Sequence, residues 1–222
     1  MLIKLRRRYS STLRRSMIGS LVMPPVKRLI KVCGVRTPAD VQACLDAGTD
    51  MIGLVLVPGS RRVLNEHQAL SLRERIRKNA QVVGVFMDQP WDEVRRLSEA
   101  LSLDYVQLHG SETGPQWDLL GRRTIRRVRP ESYRPGCLPP TELPLVDAGA
   151  GNGVAFAWPN GTTYPGALIA GGLTATSVGP LIERLQPLGV DVSSGVEDES
   201  GVKSPRLIEE FCRIARESLN QI

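Results

Sequence analysis

The chain has 222 residues, which fits one domain, because domains of up to roughly 250 residues keep a single hydrophobic core. Its apolar content of 41% excludes an intrinsically disordered chain. The four cysteines are irregularly spaced and include no CxxC pair, which argues against a zinc site and against a disulfide framework. With only two histidines, a metal site built from histidine is also not expected. This cysteine usage suits a reducing compartment, so we expect a cytoplasmic protein.

The net charge of +6 comes from the first 28 residues. This segment has eight Lys or Arg residues and no acid, and the rest of the chain has 21 basic and 23 acidic residues. Three interpretations stand: a disordered leader, a start placed upstream of the true one at Met17 or Met23, and a targeting or nucleic-acid-binding arm. Its apolar stretch is too short to span a membrane. We therefore separate an extension, 1–28, from one domain, 29–222, and expect neither nucleic acid nor membrane as a partner.

From Leu29 onward, short β-branched apolar runs alternate with amphipathic segments. Most of the runs are apolar on both faces, which is typical of buried parallel strands. The predicted strands are Leu29–Cys33, Met51–Val57, Gln81–Met87, Tyr105–Leu108, Thr124–Val128, Pro144–Asp147, Ala167–Ala170 and Val190–Val192.

Five helices are predicted between and after these strands. Several have a capping residue followed by proline at the start, a pattern typical of helix N-termini. They run from Thr37 to Ala47, over Glu66–Lys78 and Trp91–Leu101, from Thr174 to about Leu185, and from Ser204 to about Leu219. The fifth connection, Pro130–Leu143, is rich in proline, and the sixth, Gly149–Tyr164, is a long glycine-rich loop. We expect both of these helices to be abbreviated.

Eight strands in regular alternation with helices fit either an open doubly wound sheet or a closed barrel. The count of eight, and the polar or glycine residues after nearly every strand, favour the barrel. The predicted fold is a small α/β protein, a (β/α)8 TIM barrel with helices 5 and 6 abbreviated. In such barrels the active site lies at the carboxyl ends of the strands.

Two strand ends carry candidates for acid–base chemistry. Cys33 ends the first strand, and we expect its pKa to be lowered because Arg36 is close in sequence. The alternative is that Cys33 is a small buried apolar residue, the commoner fate of a lone cysteine. Asp147 ends the sixth strand, where burial raises the pKa of a carboxyl group and lets it donate a proton near neutral pH. The alternative for Asp147 is a capping or ion-paired residue.

The last two strands are followed by glycine-bearing turns. Such turns let backbone N–H groups converge on an anion, and a helix N-terminus adds a favourable dipole. Loops after strands 7 and 8 form the recurrent phosphate site of these barrels. The predicted phosphate-binding residues are Gly171, Gly172, Ser193, Ser194 and Gly195.

Other strand ends supply further polar groups. Arg61 and Arg62 follow the second strand, and guanidinium groups bind carboxylate or phosphate through paired hydrogen bonds. Gln107 and His109 end the fourth strand, and His109 could equally orient a ligand or bond a backbone carbonyl. The predicted substrate-binding residues are Arg62, Arg36, Gln107 and His109.

Taken in order, these motifs resemble the phosphoribosylanthranilate isomerases of tryptophan biosynthesis. The resemblance covers the chain from about Leu29 to the last helix. It rests on Lys31-Val32-Cys33-Gly34, Ser60-Arg61-Arg62, Val82-Val83-Gly84-Val85-Phe86, Val106-Gln107-Leu108-His109-Gly110, Val146-Asp147, Ala170-Gly171-Gly172-Leu173 and Asp191-Val192-Ser193-Ser194-Gly195-Val196-Glu197.

The resemblance implies an Amadori rearrangement of a phosphoribosyl anthranilate, a small phosphorylated substrate, without a cofactor. It implies that Asp147 is the general acid, that Cys33 is the general base, and that Arg62 faces the anthranilate carboxylate. We expect a monomer or a homodimer.

Two loops depart from the family pattern. Arg61 stands where the family has proline, and in the loop after strand 6 Asn152 and Ala157 replace threonine and aspartate. We expect these changes to affect substrate affinity more than the type of reaction.

Two other classes of protein remain as alternatives. One is another phosphate-binding barrel, such as the sister isomerase of histidine biosynthesis, in which aspartate is expected in place of Cys33, or a thiamine-phosphate synthase. The other is a nucleic-acid-associated protein that uses the basic extension, which the near-neutral barrel disfavours.

Overall fold

The computed structural model describes residues 27–76, 79–147, 149 and 157–222. Eight parallel strands form a closed barrel in which each strand pairs with the next along the chain and β8 pairs with β1. The strands are β1 (Leu29–Cys33), β2 (Met51–Val55), β3 (Gln81–Phe86), β4 (Tyr105–Leu108), β5 (Arg123–Val128), β6 (Glu142–Asp147), β7 (Leu168–Ala170) and β8 (Gly189–Val192). The predicted eight-stranded barrel is therefore confirmed.

Within the described residues, five α-helices and three 3-10 segments accompany the strands. The α-helices are α1 (Pro38–Asp46), α2 (Glu66–Ile76), α3 (Trp91–Ala100), α4 (Ala175–Leu185) and α5 (Pro205–Leu219). Thr37 and Thr174 begin α1 and α4 with capping boxes, in which the side chain accepts a bond from the backbone three residues later. The end predicted for the second helix, 77–78, lies outside the described residues.

The connections after β4 and β5 are shorter than a full helix. A 3-10 segment, Pro115–Leu120, follows β4, and a single 3-10 turn, Pro130–Ser132, follows β5. The fifth helix is thus abbreviated, as predicted, and the fourth is reduced as well, which the sequence analysis did not predict. Most of the sixth connection lies outside the described residues, and its described part, 157–166, contains no helix.

The core has two layers, one inside the barrel and one between the barrel and the helices. The outer layer packs α1 to α5 onto the strands, with Phe86 and Phe211 among its fully buried side chains. Below the site, the barrel interior is closed by apolar side chains. These are Met51, Val83, Tyr105, Ile125, Leu145, Leu168 and Ala170. The polar groups of the barrel interior therefore lie above an apolar floor.

Residues 1–26 of the predicted extension lie outside the described residues. Its last residue, Arg28, donates hydrogen bonds to the backbone oxygens of Pro187 (2.7 Å) and Ile222 (3.1 Å), and Lys27 pairs with Asp50 at 2.9 Å. The end of the predicted extension therefore contacts the barrel. Among the described helices, none combines the length and apolar character needed to cross a bilayer.

Truncating a side chain of the layer inside the barrel should lower the free energy of unfolding strongly. Leu145 is fully buried there, so Leu145→Ala should lower the free energy of unfolding by about 2–5 kcal/mol, through lost burial and the cavity left behind. The matched control is Leu119→Ala, because Leu119 is 75% exposed and its truncation should cost within about 0.5 kcal/mol. Urea denaturation of both variants measures the two values. Equal losses would contradict the layer assignment.

Candidate active site

A cavity of about 560 Å³ opens at the carboxyl ends of the strands. Side chains and loops from all eight strands line it. The lining residues include Cys33, Arg61, Arg62, Gln107, His109, Arg127, Asp147, Gly171, Gly172, Asp191, Ser193, Ser194 and Gly195. The structure thus brings together every predicted site residue except Arg36.

A larger cavity, of about 1470 Å³, lies at the opposite face, where the strands begin. Asp50, a carboxylate in its lining, forms ion pairs with Lys27 at 2.9 Å and with Arg216 at 2.5 Å. In these barrels that face contributes to stability and the carboxyl face to catalysis. The smaller cavity is therefore the candidate active site.

Cys33 lies at the end of β1 and is 9% exposed. Its neighbour across the strand pair is Gly53, where an added Cβ would lie 2.8 Å from the Cys33 sulfur. Burial raises the pKa of the thiol, while Lys31 opposes that rise. The expectation of a lowered pKa is therefore wrong, because it did not take account of burial, and the strongest opposing cation is Lys31 rather than Arg36.

Lys31 and Asp191 form an ion pair inside the barrel. The ammonium of Lys31 donates to both carboxylate oxygens of Asp191, at 2.9 and 3.0 Å. Burial alone would lower the pKa of Lys31, but Asp191 and Cys33 raise it above its usual value. Burial raises the pKa of Asp191 despite the pairing, yet the two short distances identify a carboxylate that accepts from an ammonium. Both groups are therefore charged in the pair.

Asp147 ends β6 and is 7% exposed. One of its oxygens accepts a hydrogen bond from the Gly149 backbone N–H at 2.8 Å, and the other lies 3.5 Å from His109 Nε2. Burial raises the pKa of this carboxyl, with the Gly149 bond and Arg127 opposing the rise. Asp147 therefore keeps a proton to higher pH than an ordinary aspartate does.

His109, which directly follows β4, links Asp147 to Gln107 in β4. Gln107 Nε2 lies 3.3 Å from His109 Nδ1, and burial, with Arg127, lowers the pKa of His109 to about 4. The imidazole is therefore neutral near pH 7. Gln107 is 2% exposed, and its buried carbonyl oxygen has no partner within the described structure. Because buried polar groups are usually paired, this oxygen is a natural acceptor for a ligand donor.

The loops after β7 and β8 approach each other at the rim of the cavity. Gly171 and Gly172 have φ values of 102° and 65°, a region that favours glycine. At Gly195 an added Cβ would overlap the carbonyl oxygen of Leu173, so only glycine fits there. Thr174 then begins α4 with its positive end close to these turns. This arrangement can bind an anion through backbone N–H groups.

Beside the turn after β8, Glu197 pairs with three cations. Arg62 donates to its two oxygens at 2.6 and 2.8 Å, Lys203 lies 2.9 Å away, and Arg61 lies 3.1 Å away. Despite burial, the bonds from Arg62 and Lys203 lower the pKa of Glu197 to about 2. Three cations around one carboxylate leave a positive balance, which suits an anionic ligand group.

Arg36 is the predicted site residue that the structure does not bring into the cavity. Its guanidinium donates to the backbone oxygens of Arg61 (3.3 Å) and Gly201 (3.1 Å). It therefore supports the two loops behind Arg62. Of the two other departures, Asn152 lies outside the described residues, and Ala157 is exposed beside the buried Trp158.

Several charged groups of this site were not predicted from the sequence, among them Lys31, Asp191, Arg127 and Lys203. The signal for the first two was available: each is a lone charge within a short apolar strand, LIKVC and GVDV. An ion that is buried without a partner is costly, so two such charges on neighbouring strands indicate a pair.

Fold and site together define a (β/α)8-barrel enzyme with a buried thiol, Cys33, and a buried carboxyl group, Asp147, in the mouth of the barrel. Comparison with known proteins narrows this class. Residues 30–213 match the family model described as N-(5'-phosphoribosyl)anthranilate (PRA) isomerase. The chain belongs to this family.

Curated relatives and solved structures agree with the family model. The N-(5'-phosphoribosyl)anthranilate isomerases of Chromohalobacter salexigens and Dechloromonas aromatica are each 35% identical to this chain. The alignments cover 86% and 87% of this chain, and 95% and 98% of the two relatives, respectively. TrpF from Jonesia denitrificans superposes with a TM-score of 0.72 at 30% identity, covering 86% of this chain and 98% of its own. The phosphoribosyl anthranilate isomerase from Thermus thermophilus superposes with a TM-score of 0.73 at 29% identity. This match covers 85% of this chain and 98% of its own.

From the Glu197 cluster we expect a pH-dependent difference in the free energy of unfolding between the parent and a variant that lacks this carboxylate. Because the pKa of Glu197 falls from its ordinary 4.5 to about 2 on folding, its ionised form stabilises the fold above pH 4.5. This contribution is lost as pH falls towards 2. Glu197→Gln should therefore be less stable than the parent near pH 7, and the difference should shrink between pH 4.5 and 2. Urea denaturation across this range measures it, and a difference independent of pH would contradict the assignment.

Proposed function

We propose that this chain isomerises N-(5'-phosphoribosyl)anthranilate to 1-(2-carboxyphenylamino)-1-deoxyribulose 5-phosphate, with Asp147 as general acid and Cys33 as general base. The observation that carries the assignment is that both side chains line one cavity, together with the glycine turns after β7 and β8 and with Arg61 and Arg62. Family membership supports the reaction, and the cavity supports the assignment of residues to its steps.

The acid step needs a proton on Asp147. Donation of this proton to the ring oxygen of the ribose breaks the bond between that oxygen and C1. The lone pair of the anthranilate nitrogen then forms the C=N bond of a Schiff base. Burial keeps the proton on Asp147 to higher pH, and the neutral His109, 3.5 Å away, does not hold the carboxylate ionised as an imidazolium would.

The base step needs a thiolate at Cys33. It removes the proton from C2 of the sugar, and the electrons of that bond form a C1=C2 double bond while the nitrogen recovers its lone pair. The resulting enolamine becomes the ketone when its hydroxyl loses a proton and C1 gains one. Atoms and charge balance, so the conversion is an isomerisation that needs no other reactant.

Two anion sites in the same cavity would hold the substrate beside Cys33 and Asp147. The turns after β7 and β8, with Gly171, Gly172, Ser193, Ser194 and Gly195, would hold the phosphate. Arg62 would bind the anthranilate carboxylate, and Arg61, 59% exposed at its side chain, adds a second cation beside it. Gln107, whose side-chain oxygen has no partner among the described residues, would accept a hydrogen bond from a sugar hydroxyl.

The activity is tested by loss of substrate fluorescence when purified protein is added to freshly prepared phosphoribosylanthranilate. We expect turnover by the parent, and a loss of about 10²–10⁴ in kcat for Asp147→Asn and for Cys33→Ser, because each removes one proton-transfer group. The matched control is Cys137→Ser, since Cys137 is exposed and lies outside the cavity. No turnover by the parent would refute the function, and near-normal rates in both variants would refute the residue roles.

The phosphate site is tested at Gly195. In Gly195→Ala the new Cβ would overlap the Leu173 carbonyl oxygen and push the two turns apart. We expect KM to rise by about tenfold or more with a smaller change in kcat, because the affected contacts hold the phosphate and not the reacting carbons. The inhibition constant of inorganic phosphate should rise in parallel. Unchanged inhibition by phosphate would place the phosphate elsewhere.

A further inference from the structure

The Lys31–Asp191 pair has no role in the reaction as described above. Lys31 is fully buried and Asp191 is 7% exposed, and their charged atoms lie 2.9 and 3.0 Å apart. A buried ion pair is costly to desolvate and is often no more stabilising than apolar residues of the same volume. A contribution to stability therefore does not by itself account for this ion pair. Because the pair lies beside Cys33, an effect on the thiol is the alternative.

The geometry of β1 places one cation between two groups that can carry a negative charge. Lys31 and Cys33 are two residues apart on β1, so their side chains share the inner face of the barrel. Asp191 is the register partner of Lys31 on β8. The Lys31 ammonium consequently faces the Asp191 carboxylate and the Cys33 thiol together.

We propose that Lys31 is the counter-ion of the Cys33 thiolate, and that Asp191 competes with this thiolate for the same ammonium. The inference rests on the proposed role of Cys33 as the base. In the free enzyme Asp191 engages Lys31 and the thiol keeps its proton. When the thiol ionises, the ammonium is already beside the sulfur. Lys31 and Asp191 are thus positioning residues that act through Cys33.

Three other titratable groups surround Cys33 and the ion pair, and one of them, Lys203, also lowers the pKa of Cys33. Lys203, from the segment after β8, is held by Glu197 at 2.9 Å and by the Ser193 backbone oxygen at 2.8 Å. On the far side, Asp147 faces Asp191 from β6 and raises its pKa. His109, from β4, is neutral near pH 7 because its pKa is about 4.

The directions of the thiol's pKa shifts agree with this competition. Burial raises the pKa of Cys33, Lys31 lowers it, and Asp191 raises it again. Removing Asp191 should therefore favour the thiolate, and removing Lys31 should favour the thiol. A purely structural role predicts no such opposition, because loosening the site would expose the sulfur in both variants.

The test is the pH dependence of alkylation of Cys33 by iodoacetamide, followed by mass spectrometry in a Cys137→Ser background. Cys137 is the exposed cysteine of the four, and Cys44 and Cys212 are buried. The midpoint of the pH profile gives the pKa of Cys33, because the thiolate is the reactive form. The plateau at high pH reports access to the sulfur.

We expect Asp191→Asn to lower this midpoint by about one pH unit or more, which is at least about tenfold more thiolate at a fixed pH below it. Lys31→Met should raise the midpoint. The double variant Lys31→Met/Asp191→Asn leaves no unpaired buried charge, and its midpoint should lie above that of Asp191→Asn. A midpoint that is unchanged or raised in Asp191→Asn, or equal in that variant and the double variant, would overturn the inference.

Folding of each variant is checked by urea denaturation. If Asp191→Asn does not fold, the comparison of Lys31→Met with the parent still decides: a midpoint at or below that of the parent overturns the inference. Alkylation requires no turnover, so these midpoints can fail while the isomerase assay succeeds. The reverse result, opposed midpoints without isomerase activity, would refute the proposed function and leave the competition for Lys31 intact.

Discussion

A buried ion pair joins the first and last strands of the barrel directly below the proposed acid–base site. Lys31 and Asp191 are register partners, so their contact forms where β8 closes onto β1. Below them the interior is apolar, and above them the cavity begins. The pair is neutral as a whole, which lets two charges lie in a desolvated interior at a tolerable cost. It therefore sets the electrostatic surroundings in which Cys33, Asp147 and His109 titrate.

Desolvation then acts in different directions on the groups around this pair. It disfavours the charged form of each, so it raises the pKa of Asp147 and Cys33 and lowers that of His109. For the proposed general acid this is useful, since Asp147 retains its proton. For the proposed general base, Cys33, it is an obstacle, since a thiolate is needed. A buried cation next to the sulfur is the physical means of overcoming it, and Lys31 supplies that cation.

The barrel, and those residues of its site that end strands or lie in glycine turns, could be predicted from local patterns in the sequence. β1 and β4 begin and end where they were predicted, because apolar runs bounded by glycine or polar residues define short buried strands. Cys33 and Asp147 were identified because each ends such a run. The reduced fourth helix was missed: Pro115 and the buried Trp117 fold that connection into a 3-10 segment against the core.

The rest of the site depends on contacts that no local pattern contains. Arg36 was predicted to bind the substrate, whereas its guanidinium donates to the backbone oxygens of Arg61 and Gly201. The partnership of Lys31 with Asp191 requires closure of the barrel between residues 160 positions apart. The direction of the thiol pKa likewise follows from burial, which depends on packing and not on neighbours in sequence.

The central claim is that Cys33 removes the proton from C2 of the sugar. It is tested most directly by comparing protonated substrate with substrate deuterated at that carbon, in the parent and in Cys33→Ser. The account predicts that the deuterium effect on the rate grows in Cys33→Ser, because removal of this proton becomes the slowest step when the base is weakened. A deuterium effect that is the same in both proteins, with a similar rate, would contradict it.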